Sequence, residues 1–353
     1  MNQKRLRDYG VTIGEMEPGE KNAITDVEGV SVGHTTISDG QVQTGVTAIL
    51  PHQGNLFQQK VIASSYVLNG FGKTMGTIQL NELGTLETPI LLTNTLSIGT
   101  AADAMFDYML EQNHEIGDTT GTVNPIIGEC NDMFLNDIRG RHVQKHHVHE
   151  AIANASTTFE EGSIGAGRGM LCYSLKGGIG TASRKVKLQT GNYTLGVLVV
   201  TNFGILRDLN VNGKKVGKTL KEALLHSWEE KDKGSVMVIV ATDLPVSKRQ
   251  LHRIIKRAST GLSRTGSIIT TGSGEIIIGF STANKVAHQY TPQTQTLETI
   301  HEEEIDTAFR AVGEATEEAV LNSLVTATHV IGRDGNERPT LMDLLQKFSM
   351  KLT

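Results

Sequence analysis

Gly234 and Ser235 stand between a charged run, Glu229-Glu230-Lys231-Asp232-Lys233, and an apolar one, Val236-Met237-Val238-Ile239-Val240-Ala241. The apolar run is rich in β-branched residues and reads as a buried strand. A serine at the head of such a strand, behind a glycine and a solvated loop, suits one particular chemistry. If the 234–235 peptide bond is cut, Ser235 becomes an N-terminus whose hydroxyl is the nucleophile and whose own α-amine is the base. A hydroxyl is a weak nucleophile at neutral pH and needs a base within hydrogen-bond reach. An α-amine titrates near ~7.7–8.0, close to the working pH. Gly-Ser recurs at 162–163, 266–267 and 272–273, so the dipeptide alone is more often structural. Other residues must decide.

Three polar turns could complete such a site. In Thr270-Thr271-Gly272-Ser273-Gly274-Glu275 a hydroxyl and a carboxylate stand two residues apart, so Ser273 and Glu275 project the same way from a strand end. There they could hydrogen-bond a nucleophile and its ammonium, and the carboxylate would tune the amine. The structural alternative is a hairpin turn with a solvated carboxylate. Asn202, in Thr201-Asn202-Phe203-Gly204, follows an apolar run at 196–200. Its amide could cap a turn or donate to a developing oxyanion. Glu129, with Asn131 and Asp132, follows a run at 123–128 and could bind a substrate's amino group.

Two other motifs favour bland readings. Gly165-Ala166-Gly167-Arg168-Gly169 could cradle a phosphate only if it joined a strand to a helix. Here a helical pattern and a loop precede it and an apolar run follows, so close backbone approach explains it better. His142 and His146 would share a helix face at metal-ligand spacing, but a third ligand and a shaped cavity are needed too, and Lys145 intrudes. With His147 and His149 they read as a solvated face.

These residues need a frame. Strand patterns fall at 29–35 and 45–50 about an Asp39-Gly40 turn, then at 59–68, 89–95, 123–128, 186–188, 193–200, 236–241, 267–271 and 275–281. Helical patterns fall at 98–111, 142–158, 218–230, 247–260 and 300–327, with a linker at 207–217. Adjacent antiparallel pairs among helices point to layered α/β rather than a doubly wound nucleotide fold. A chain of 353 residues with 38 glycines and 5% aromatics fits a compact enzyme with many close backbone approaches. A net charge of −5 with no basic tract argues against nucleic acid. The two cysteines, Cys130 and Cys172, are too few for a disulfide framework and fit reduced thiols. No signal peptide or membrane span is visible, so a cytoplasmic protein is expected.

Taken together these stretches resemble the L-aminopeptidase/D-esterase family, self-processing N-terminal serine peptidases that include the β-peptidyl aminopeptidases. The resemblance covers nearly the whole chain. It is carried by ITDVEGVSVGHTT, GVTAILP, NGFGKTMG, TPILLTNTLSIGTAADAM, GECNDMFLNDIRGRHV, GSIGAGRGM, LGVLVVTNFG, STGLSRTGS and, most specifically, GSVMVIVATDLP. It implies a four-layer αββα sandwich like that of N-terminal-nucleophile hydrolases with a different connectivity. It implies one catalytic domain cut between Gly234 and Ser235 into an α chain, 1–234, and a β chain, 235–353, that stay together. Ser273 and Glu275 would assist Ser235, Asn202 would help form the oxyanion hole, and Glu129 would meet the substrate amine. Asn131 stands where some relatives carry tyrosine, which leaves the second oxyanion partner and the substrate preference open. The implied substrates are short peptides, amides or esters with a small N-terminal residue: glycine, D- or L-alanine, or β-alanine. The implied assembly is a homo-oligomer of αβ units, with no metal or cofactor.

Two rivals stand beside this. Ornithine acetyltransferases also self-cleave, but use threonine where this chain has serine. A non-enzymatic binding protein of the same fold would not need Gly234, Ser235, Ser273 and Glu275 together.

Overall fold

The computed structural model describes residues 3–224 and 234–352. The charged run 229–233 and the end of the helix expected at 218–230 lie outside the described residues. In chain order the strands are β1 (Ser31–Asp39), β2 (Val42–Leu50), β3 (Gln59–Gly70), β4 (Thr85–Leu86), β5 (Ile90–Asn94) and β6 (Ile126–Cys130). They continue as β7 (Leu171–Cys172), β8 (Leu175–Lys176), β9 (Ile179–Leu188), β10 (Gly191–Asn202), β11 (Ser235–Thr242) and β12 (Gly274–Ala287). The helices are α1 (Thr77–Glu82), α2 (Ile98–Gln112), α3 (Lys145–Ala153), α4 (Val216–Ala223), α5 (Lys248–Ile255), α6 (Ala258–Arg264), α7 (Ile305–Val325) and α8 (Leu341–Lys347).

Two sheets stack face to face. One has the order β1-β2-β5-β6, the other β4-β3-β12-β11-β10-β9. Pairing is antiparallel except at β5–β6 and β11–β12. Strand alternation builds the layers. In β11, Met237, Ile239 and Ala241 join Ile49, Leu92, Ile126, Val200, Ile276 and Ile278 between the sheets. Val236, Val238 and Val240 face the other way, onto Leu251, Leu262, Val312 and Ala319 of α5, α6 and α7. Both faces are covered, so β11 reads as a continuous apolar run. On the far side, Val46, Ala48, Leu91 and Ile127 pack on α2 and α3 through Ala101, Met105, Val148 and Ile152. The result is the αββα sandwich that the resemblance implied.

α7 is buried on nearly every side, which its apolar face alone did not foretell. The N-terminal segment covers its polar side. Arg7 pairs with Glu318, the Met16 N–H donates to Glu314, and the fully buried Arg184 of β9 reaches Glu314 at 3.1 Å and Glu318 at 2.7 Å. Three expected elements differ. The helix at 142–158 contracts to α3, because Ser156 pairs with Val32 of β1 instead of continuing the helix. The helix at 247–260 divides into α5 and α6. The strand at 267–271 is absent: Ile269 has φ +55°, and the Thr270 carbonyl accepts from the Asn69 carboxamide at 3.1 Å rather than from a ladder. No helix among the described residues is long and apolar enough to cross a membrane.

Candidate active site

β10 ends on Asn202, β11 begins on Ser235 and β12 begins on Gly274. Antiparallel register sets Asn202 opposite Ser235, and parallel register sets Ser235 beside Gly274. Residues distant in sequence therefore meet at one end of the six-stranded sheet, with Ser273 and Glu275 on either side of Gly274. Ser235, Ser273 and Glu275 are 6%, 0% and 1% exposed. The solvated hairpin weighed for 270–275 does not form. Ser273 Oγ finds no hydrogen-bond partner among the described residues. A buried polar group without a protein partner is costly and calls for an explanation.

Gly234 is fitted to its place. A Cβ there would lie 1.7 Å from the Asn202 carbonyl oxygen, so no larger residue enters without backbone movement. Its carbonyl accepts from the Gly274 N–H at 3.1 Å. While the 234–235 peptide bond is intact, the Ser235 nitrogen is an amide and not a base.

The Asn202 carboxamide is oriented from both ends. Its Oδ1 accepts from the Leu171 N–H at 3.0 Å, and its Nδ2 donates to the Asn131 carbonyl at 2.9 Å. That network assigns the amide's direction. Nδ2 carries two protons, so one remains for a reacting oxygen. The Asn131 side chain closes its own turn, accepting from the Met133 N–H at 3.0 Å.

Glu129 lies within β6, not past it, because that strand runs two residues further than its apolar pattern. It is buried, with Oε1 accepting from the Lys73 N–H at 2.9 Å and Oε2 accepting from the Thr95 hydroxyl. The end of β6 faces β10 and β11 across the inter-sheet layer: Cys130 Sγ is 3.6 Å from the Val200 carbonyl, and Met237 packs over Gly128. Burial first, then the Glu129, Asp132 and Glu275 carboxylates, push the Cys130 thiol well up. Cys130 is therefore no nucleophile there. Burial also raises Asp132 to about 7, against hydrogen bonds from Thr44 and Asn136 that lower it.

Sequence reasoning missed the groups that hold these side chains, namely the Lys73 and Leu171 N–H groups, the Thr95 hydroxyl and the Asn69 carboxamide. Only the break Asn69-Gly70-Phe71-Gly72 hinted at them, as the loop that brings Lys73 onto Glu129. The glycine-rich loop behaves as expected, since a Cβ at Gly167 would lie 2.5 Å from the Ile179 nitrogen. His142 precedes α3 and pairs with Asp137 at 3.0 Å, so it shares no helix face with His146. Among the described residues no group of three or more metal-ligating side chains occurs.

Two stacked sheets between helix layers, with a serine heading a central strand, define an N-terminal-nucleophile type of hydrolase architecture. The comparisons agree. The model of peptidase family S58 matches residues 22–338, and the chain belongs to that family. It is 37% identical to the β-peptidyl aminopeptidase BapA of Sphingosinicella microcystinivorans, over 94% of this chain and 88% of that one. Among solved structures it resembles the PH0078 protein of Pyrococcus horikoshii OT3 (47% identity, TM-score 0.92, 98% and 100% of the two chains). It also resembles the L-aminopeptidase D-Ala-esterase/amidase of Ochrobactrum anthropi, described as a variant of the Ntn hydrolase fold (33% identity, TM-score 0.87, 99% of each chain). The protein is thus a serine aminopeptidase acting on peptide or amide bonds.

Proposed function

We propose that this chain is one catalytic domain that cuts itself between Gly234 and Ser235, and that residues 1–234 and 235–353 then act together. The meeting of Asn202, Ser235 and Ser273-Gly274-Glu275 at one sheet end carries this reading. In the uncut chain, Ser235 Oγ attacks the Gly234 carbonyl carbon while the Glu275 carboxylate accepts the hydroxyl proton. The C–N bond breaks as Glu275 passes that proton to the departing nitrogen, leaving an ester on Oγ and a free Ser235 amine. Water hydrolyses the ester, releasing the Gly234 carboxylate and the hydroxyl.

In the cut protein the Ser235 amine takes the proton from Oγ as it attacks a substrate carbonyl. Ser273 and Glu275 hold the ammonium that results, and the spare Nδ2 proton of Asn202 meets the oxyanion. The leaving amine departs protonated, and water frees the N-terminal residue from the acyl-enzyme. Glu129, at the facing strand end, receives the substrate ammonium, and Asn131 lines the approach. The family resemblance favours small N-terminal residues (glycine, D- or L-alanine, β-alanine) on short peptides, amides or esters. None of these steps calls on a metal or cofactor. Buried thiols at Cys130 and Cys172 suit a cytoplasmic enzyme, and a homo-oligomer of αβ units follows the family resemblance. Ser235→Ala tests the reading: one intact, inactive 38.2 kDa chain is expected, and a variant still cut at the same bond overturns it.

A further inference from the structure

We propose that Lys176, which touches no reacting group, sets the donor geometry of Asn202 through a single peptide unit. The inference rests on the reading of Asn202 as the oxyanion donor. Lys176 is fully buried. Its Nζ lies 3.1, 3.0 and 2.7 Å from the carbonyl oxygens of Gly167, Met170 and Gly177. An ammonium has three protons for three acceptors. A neutral amine has two, and would turn its lone pair on the third carbonyl. Burial, then the Arg168 guanidinium, pull the Lys176 pKa well down; the three carbonyl acceptors oppose that pull by favouring the charged form.

One of those carbonyls matters to the site. Met170 C=O and Leu171 N–H belong to the same peptide group. Its oxygen accepts from Lys176, and its N–H donates to Asn202 Oδ1 at 3.0 Å. A cation at the carbonyl end polarises the amide and strengthens its N–H as a donor. With the Gly177 N–H, which donates to the same carbonyl at 3.1 Å, it also fixes the peptide plane, so Asn202 Oδ1 is held from one side while Asn131 holds Nδ2 from the other.

The local backbone is bent to achieve this. β7 and β8 pair Leu171 with Lys176 through a two-residue turn in which Tyr173 and Ser174 have φ +51° and +60°. Such turns favour Asn-Gly, and bulky residues there are strained. The turn persists because the Tyr173 N–H donates to the Phe203 carbonyl at 2.7 Å and its hydroxyl meets Thr265 at 2.8 Å. Strain kept next to a reacting centre fits a positioning role better than simple packing.

The test is a kinetic cycle on an alanyl amide with Lys176→Met, Asn202→Ala and the double variant, with kcat expressed per N-terminal serine. Asn202→Ala is expected to lower kcat about 10²–10³-fold. Lys176→Met is expected to lower it about 10- to 100-fold with KM within about twofold, and the double variant is to be no slower than Asn202→Ala. A Lys176→Met loss that multiplies with that of Asn202→Ala, or a fall in Tm with kcat kept, overturns the inference and leaves the site reading standing. An Asn202→Ala enzyme of full kcat overturns both. If Lys176→Met does not fold, Lys176→Gln, which keeps two donors without the charge, takes its place. In the wild type, ¹⁵N-lysine spectra should show one slowly exchanging buried ammonium, and a neutral amine at Lys176 overturns the inference whatever the variants do.

Discussion

The Gly274 N–H donates to the Gly234 carbonyl oxygen across 3.1 Å, so the bond ahead of Ser235 is held and polarised by the strand that carries Glu275. The same carbonyl belongs to a residue with no room for a side chain. Gly234→Ala is expected to push against the Asn202 carbonyl, where its Cβ would lie 1.7 Å away. The cost should be about 1–3 kcal/mol, and uncut chain should accumulate. Denaturing gels over time and a melting curve check this; cutting at the normal rate would mean that the strand ends do not meet as described.

Glu275 is 1% exposed at the head of β12, where a carboxylate can serve proton transfer with little competition from water. Glu275→Gln keeps its shape and removes its basicity. Turnover should fall by about 10²–10⁴-fold while Tm moves little. Normal turnover in a well-folded variant removes Glu275 from the chemistry.

Glu129 holds its carboxylate on the Lys73 N–H and the Thr95 hydroxyl, which leaves further lone pairs for a ligand cation. Glu129→Gln should raise KM for substrates with a free N-terminal amine. A charged hydrogen bond of about 1.5–3 kcal/mol corresponds to roughly 10- to 150-fold. The same substitution should leave hydrolysis of a des-amino ester nearly unchanged. Equal losses on both substrates would point to a general distortion of β6.

Asp132 is raised from 3.8 to about 7 by burial. The folded chain therefore keeps its proton through a pH range where the unfolded chain has lost it. Folding binds protons there, so stability falls as pH rises from about 4 to about 7 and is flat beyond for this group. Asp132→Asn removes that dependence. Between pH 5 and 8 the wild-type Tm should drop more than that of Asp132→Asn, by calorimetry; parallel curves would place the titration elsewhere.

The frame was legible where its signals are local. The β1–β2 hairpin about Gly40, the run from Val236 and the break after Leu68 each carry their pattern within a few residues. Ser235, Ser273, Glu275, Asn202 and Glu129 stood out because a polar group next to a buried strand is easily seen. What failed depends on partners far along the chain. Ile268-Ile269-Thr270-Thr271 has strand composition, yet Gly266 is wedged against the Asp208 carbonyl and Asn69 captures the Thr270 carbonyl, so no ladder forms. The burial of α7 could not be seen without the N-terminal segment laid over Glu314 and Glu318. Lys176 carries no local signal in the sequence, because only the turn at Tyr173-Ser174 folds it back onto Met170.

The most direct measurement is intact mass with N-terminal sequencing of material whose peptidase activity has been assayed in the same preparation. Two chains are predicted, one of them starting at Ser235, with masses summing to 38.2 kDa plus one water. Fully active protein that shows a single terminus, its serine nitrogen still locked in a peptide bond, would contradict the account at its root.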